Sequence, residues 1–153
     1  PLDSFSSVSC GHTDIIAVHS RHFLHLLQEA NLLENILNTA DTCIAKKENN
    51  VTLRFGHESC VLPLACLLEL GDCAYQTTDL NSLADVWRNY KIFPMACNIQ
   101  FVFYRKKESD DILVKVLLNE QEMKLPVEST LAPYYHWKDV ETYYRNKLAA
   151  FRK

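Results

Sequence analysis

Val51-Thr52-Leu53-Arg54-Phe55-Gly56-His57-Glu58-Ser59 leads, one cysteine later, into Val61-Leu62-Pro63-Leu64-Ala65-Cys66-Leu67-Leu68-Glu69-Leu70. Residues 51–55 are β-branched and apolar around Arg54 and stop at Gly56, the pattern of a short buried strand. Residues 61–70 form a compact apolar run. With Pro63 in the first turn and Gly71 at the close, they read as a compact buried helix. A strand, a tight turn and a helix make half of a βαβ unit, so the expected class is α/β.

The flanks agree with that class. Upstream, residues 14–45 carry helical spacing, clearest in the stripe Leu33, Ile36, Leu37, Ala40, Cys43 and Ile44. The earlier half is less regular, and a break is expected near Asn31. Lys46, Lys47, Glu48, Asn49 and Asn50 read as the turn after that helix. Downstream, residues 72–90 form a polar loop with a short helix at about 83–90. The period then changes to two: Ile99, Phe101 and Phe103 alternate with their neighbours, and Ile112, Val114, Val116 and Leu118 repeat the pattern across a charged turn. Asn119-Glu120-Gln121 is a second tight turn into a short strand at 122–125. A last helix over 137–150 carries Trp137, Val140, Tyr144 and Leu148 on one stripe.

Composition narrows the function. The 153 residues are 48% hydrophobic and 23% charged, which excludes wholesale disorder. A net charge of −3 gives no bulk attraction to nucleic acid or an anionic membrane surface. No apolar run approaches the roughly 18 residues of a membrane span. The chain opens on Pro1 without a signal-peptide pattern, so the expectation is a processed chain or a piece of a longer one. Six cysteines without a CxxC pair argue against a four-cysteine zinc site and for buried free thiols, the alternative being one or two disulfides.

Chemistry is densest at Gly56-His57-Glu58. In open α/β sheets ligands bind beyond the carboxyl ends of strands, and a helix start there offers free N–H groups and a positive dipole end to an anion. Gly56 would let the backbone turn without a Cβ penalty. A histidine beside a carboxylic acid suits phosphate-ester cleavage, one group holding phosphoryl oxygens and the other protonating the leaving alkoxide. The plain alternative is a His-Glu pair in an ordinary surface turn. Other candidates read as structure. His19, His22 and His25 lack a fixed carboxylate for a metal and form a half-exposed helix face; Thr13 and Asp14 in Gly11-His12-Thr13-Asp14 cap a helix. Tyr134, Tyr135, Trp137, Tyr143 and Tyr144 read as core aromatics. Arg105-Lys106-Lys107, followed by Glu108, Asp110 and Asp111, is a solvated hairpin tip.

Leu53-Arg54-Phe55-Gly56-His57-Glu58 with Val61-Leu62-Pro63-Leu64 resembles the second catalytic segment of the histidine acid phosphatases, and in particular of the multiple inositol polyphosphate phosphatases. The resemblance continues through Pro94-Met95-Ala96-Cys97-Asn98-Ile99-Gln100-Phe101-Val102-Phe103-Tyr104-Arg105, over residues 114–125, and through Pro133-Tyr134-Tyr135-His136-Trp137-Lys138-Asp139. It spans about residues 32–144 in the order of the family's C-terminal third. It implies the C-terminal part of an α/β histidine-phosphatase (phosphoglycerate-mutase-like) fold, a mixed sheet flanked by helices, over residues 32–153. Residues 1–31 form a poorly matched N-terminal segment with a helix.

The implied activity is phosphomonoester hydrolysis, with inositol polyphosphates and phytate as substrates, through a phosphohistidine. His57 is then the phosphate ligand and Glu58 the general acid, with Arg54 and Ser59 as flanking substrate-binding candidates. No metal or cofactor is implied. The implied partners are a small phosphate ester and the missing N-terminal part of the domain, and the implied location is secreted, periplasmic or lumenal. The chain departs from the family twice. It has His-Glu-Ser where the family has His-Asp or His-Ala-Glu. It also contains no Arg-His-Gly sequence, the family's nucleophile motif; Arg21-His22-Phe23 is the nearest echo and lacks the glycine. The alternative function is a non-catalytic domain that binds a phosphorylated ligand or a partner chain.

Overall fold

The computed structural model describes residues 12–47, 49–79, 83, 85–107 and 109–151, with side chains from Glu29 onward except Glu58. The side chains of His12, Thr13, Asp14, His19, His22, Arg21 and His25, and the whole of Gly11 and Cys10, lie outside the described residues.

Helix α1, His12–Lys46, runs 35 residues without the break expected near Asn31. Asn31 is exposed, and asparagine costs an exposed helix interior only about 0.7 kcal/mol. The buried stripe on either side of it, Ala30, Leu33, Leu37 and Ala40, outweighs that cost. Lys47 in the left-handed region (φ 56°) ends the helix.

Residues 51–55, the expected strand, are extended but enter no ladder. Val51, Leu53 and Phe55 are 80%, 71% and 94% exposed. β-propensity reports fit to a pleated neighbour, and no neighbouring strand lies beside this segment among the described residues.

Helix α2, Glu58–Leu67, begins three residues before the expected Val61, so Pro63 stands inside it. Its end is also earlier and is not made by glycine. Glu69 takes the left-handed conformation (φ 52°), and the Glu69 and Leu70 N–H groups donate to the Cys66 and Ala65 carbonyls at 3.1 Å each, the two bonds of a Schellman cap. Gly71 (φ 51°) follows in the next turn, its N–H donating to the Lys124 carbonyl. A one-turn helix α3, Asn89–Ile92, lies in the loop beyond.

Strands β1, Ile99–Arg105, and β2, Ile112–Leu118, pair antiparallel over their whole length, with Phe101 opposite Val116. Every second residue of β2 is buried, as the alternation requires. Asn119 and Glu120 both have positive φ (51° and 66°), the geometry of a two-residue type I′ turn. It feeds β3, Gln121–Glu122. The expected strand at 122–125 is thus shorter and earlier, because the chain turns aside to bond Gly71 at Lys124 and the Tyr135 hydroxyl at Leu125 before Pro126. Strand β4, Tyr135–His136, joins the same edge of β2. The sheet order is therefore β1-β2-β3 with β4 beside β2, antiparallel throughout among the described residues. The described strands form an antiparallel sheet where a mixed one was expected; residues 51–55 join no ladder, and no parallel pair occurs among the described residues.

Helix α4, Trp137–Phe151, buries Trp137, Val140, Tyr144 and Leu148, the stripe read from the sequence. It packs on β2 and α1, and α1 packs on α2, so one core joins three helices and the sheet. Trp137 stacks edge-on against Phe103 at 5.0 Å, and its Nε1–H donates to Asp41 at 2.9 Å. Helices and sheet together make an α/β chain. No described helix is long and apolar enough to cross a membrane.

Candidate phosphate-binding site

The site residues gather where the extended segment meets α2. His57 is the N-cap residue, in extended backbone (φ −89°, ψ 161°), and its side chain makes no capping bond. It is exposed, and its carbonyl accepts the Cys60 N–H at 3.0 Å. A helix leaves its first N–H groups without intrahelical carbonyls, and its dipole puts partial positive charge at that end. The His57 ring therefore stands in solvent next to the positive end of α2.

Glu58 is the first residue of α2, and its side chain lies outside the described residues. Ser59, next in the first turn, is exposed. Arg54, three residues before His57, is fastened to α1: its Nη2 donates to Asn35 Oδ1 and to Thr39 Oγ1, both at 2.8 Å. Both bonds use one nitrogen of a guanidinium that carries five donors. The structure thus holds Arg54, His57 and Ser59 on one short exposed stretch and ties its base to the long helix.

Gly56 does not have the role its position implied. Its φ is outside the left-handed region, and a Cβ built on it meets nothing within 4 Å. Neither backbone conformation nor crowding by the described residues requires glycine here.

A concavity away from these residues was not legible in the sequence. Residues Met123, Leu125, Val127 and Tyr135, with Lys124 and His136 at the rim, line a broad open hollow of about 1200 Å³ between β3 and β4. His57 is not part of it. His136 Nδ1 lies 2.9 Å from Asp111 Oδ1, and that hydrogen bond, followed by the Asp111 charge, raises the His136 pKa.

Of the five aromatics read as core, three are core and two, Tyr134 and Tyr143, are half-buried. Tyr135, Trp137 and Tyr144 are buried, and Tyr104 meets Tyr134 edge-on at 5.3 Å. Among the described residues no group of three or more histidines, cysteines or carboxylates is placed to hold a metal ion.

Compared with known protein families, the chain matches the histidine phosphatase superfamily (branch 2) over residues 24–119, a span that includes Arg54, His57, Glu58 and Ser59. The match covers more than half of the chain, and the chain belongs to that superfamily. Membership indicates phosphoryl hydrolysis as the chemistry of the class. No curated protein matches the chain.

Proposed function

We propose that this chain supplies the phosphate-binding histidine and the proton donor of a phosphomonoester hydrolase acting on inositol polyphosphates, phytate among them, through a phosphohistidine intermediate. The observation that carries the reading is the exposed His57 at the N-cap of α2, within the residues that match the family.

In this scheme a nucleophilic histidine attacks phosphorus in line with the scissile P–O bond. His57 and the first-turn N–H groups take up charge on the phosphoryl oxygens, and Arg54 adds a cation for a substrate carrying several phosphates. Glu58 gives its proton to the departing alkoxide as the P–O bond breaks. Water then attacks the phosphohistidine and releases phosphate. The sequence holds no Arg-His-Gly segment, so the nucleophile of the scheme comes from outside these residues and the chain by itself turns over no substrate.

Two measurements test this. Inorganic phosphate and phytate, titrated into the chain and into His57→Ala, should bind weakly to the first and not to the second. Equal binding removes His57 as the ligand. Turnover by the unmodified chain that His57→Ala abolishes would overturn the missing nucleophile. In an enzyme that contains this segment and the nucleophile, Glu58→Gln should slow alkyl phosphates by ~10²–10⁴-fold and spare activated aryl phosphates. Equal losses on both substrates mean that the proton comes from another group.

A further inference from the structure

The cap of α2 and the turn after it bring two cysteines together. Cys66 lies in the last turn of α2, Cys73 in the turn at 71–74, and they are 5% and 6% exposed. The Cys66 thiol donates to the Cys73 carbonyl oxygen at 3.1 Å. The bond lengths of a carbonyl put that sulfur within about 5.5 Å of the Cys73 Cα. Cysteines that join have their Cα atoms roughly 4.4–6.8 Å apart, so these neighbours close a bridge by a rotamer change at Cys66 and a shift of the 71–74 turn. Backbone bonds fix the turn: the Leu70 N–H donates to the Ala65 carbonyl, the Cys73 N–H to that of Leu70, and the Gly71 N–H to that of Lys124. Trp87 Nε1–H donates to the same Cys73 carbonyl at 2.9 Å, which places an indole beside the pair.

We propose that Cys66 and Cys73 are a redox modification site, closing a disulfide in exchange with a small-molecule disulfide of the glutathione class. One cysteine, as thiolate, attacks a sulfur of the small disulfide and expels one small thiolate, leaving a mixed disulfide. The second cysteine, as thiolate, attacks the protein-bound sulfur of that mixed disulfide and expels the other. Two protons and two electrons leave the cysteines, and the small disulfide becomes two thiols.

Burial sets the kinetics. It pushes Cys66 up to about 12, with Cys73 adding to the rise, and Cys73 up to about 11. In the closed fold both are therefore thiols and poor nucleophiles at neutral pH. Exchange proceeds when the 71–74 turn opens, and the finished bond is then sheltered from reductant by the same packing. Cys60 and Cys97 are half-buried and make the internal comparison.

The full chain is equilibrated in buffers of stepped oxidised-to-reduced glutathione ratio, acid-quenched, alkylated and cut after glutamate, which separates Cys66 from Cys73 at Glu69. The expected product under oxidising conditions joins the peptide 59–69 to the peptide that starts at Leu70. It should persist in Cys60→Ser and in Cys97→Ser and vanish in Cys73→Ser and in Cys66→Ser, whose hydroxyl still donates to the Cys73 carbonyl. Its formation should quicken with pH and with urea below the unfolding transition, and Trp87 emission should fall as the neighbouring disulfide quenches the indole. Both cysteines alkylated across the whole range, urea included, or a bridge that uses Cys60 or Cys97 instead, overturns the proposal.

Discussion

Glu69 is a residue whose backbone and side chain pull against each other, and substitution separates the two. Its left-handed backbone (φ 52°) costs a non-glycine residue about 1 kcal/mol relative to glycine. Its carboxylate returns more than that. Oε1 accepts from Lys147 Nζ at 2.5 Å and Oε2 from the Tyr143 hydroxyl at 3.0 Å, which binds the cap of α2 to α4. Lys147 also donates to the Leu67 carbonyl, one of the last in α2. The Glu69 and Lys147 side chains keep 35% and 19% of their exposure, so solvent screening holds the ion pair to about 1 kcal/mol. The hydroxyl bond to a charged acceptor adds about another. Glu69→Ala loses both contacts and keeps the backbone cost, for a net loss of about 2 kcal/mol. Glu69→Gly loses the same contacts but relieves the backbone, for a net loss of about 1 kcal/mol. At roughly 2–4 °C per kcal/mol for a chain of this size, Tm should fall by about 4–8 °C and about 2–4 °C respectively. Urea unfolding followed by circular dichroism, at low and high salt, measures both. Glycine no more stable than alanine would refute the strain assignment, and an alanine variant as stable as the parent would refute the clamp.

Asp111→Asn should flatten part of the pH dependence of stability. The pairing raises the His136 pKa above 6.5, so its contribution is full below about 6.5 and fades as pH rises through the folded value; unfolding midpoints from pH 5 to 8.5, with an NMR titration of the His136 ring, measure the change. Asn119→Ala should cost about 2 kcal/mol in thermal unfolding. The Asn119 side chain accepts the Asn98 N–H at 3.1 Å and donates to the Ile92 carbonyl at 2.9 Å, and asparagine tolerates φ 51° better than alanine. Phe55→Ser should leave stability within about 0.5 kcal/mol, since the ring is 94% exposed; a larger loss in urea unfolding would mean that the segment is packed in solution.

The hairpin and α4 were legible because their periods report directly which side chains face the core. β2 buries alternate residues, and α4 buries the four positions that share a helical stripe. The ends of α2 were not legible. Its first turn, Glu58-Ser59-Cys60, precedes the apolar run that marks the helix, and its last residue is capped by a left-handed glutamate whose support comes from Lys147 and Tyr143, far along the chain. Local sequence offered Gly71 as the more ordinary terminator. The strand at 51–55 failed for a related reason: composition describes a surface that fits a sheet and says nothing about whether a sheet edge is there. The position of His57 at a helix start was legible, since Gly-His-Glu before an apolar run has few other places to go. The tether of Arg54 to Asn35 and Thr39 was not, because nothing in a strand-like segment announces a partner on a preceding helix.

The exposed segment bears on the proposed phosphate site through solvation as well as adjacency. His57 follows Phe55 by two residues on one extended stretch, and its ring now faces water. In water a charged hydrogen bond to phosphate competes with full hydration, and the attraction at 4 Å is only about 1 kcal/mol per charge pair; at an effective dielectric near 20 it rises to about 4. Burying Val51, Leu53 and Phe55 is itself favourable by about 1.5–3 kcal/mol each. Any event that covers this apolar face therefore also displaces water next to His57, lowers the local dielectric and strengthens the hold of imidazole and helix terminus on an anion. On that reading linkage makes the relation reciprocal: a phosphate ester held at His57 would favour a covered state by the same factor by which covering tightens the ester. On the proposed reading, the affinity of His57 for an anion therefore follows the solvation of residues 51–55.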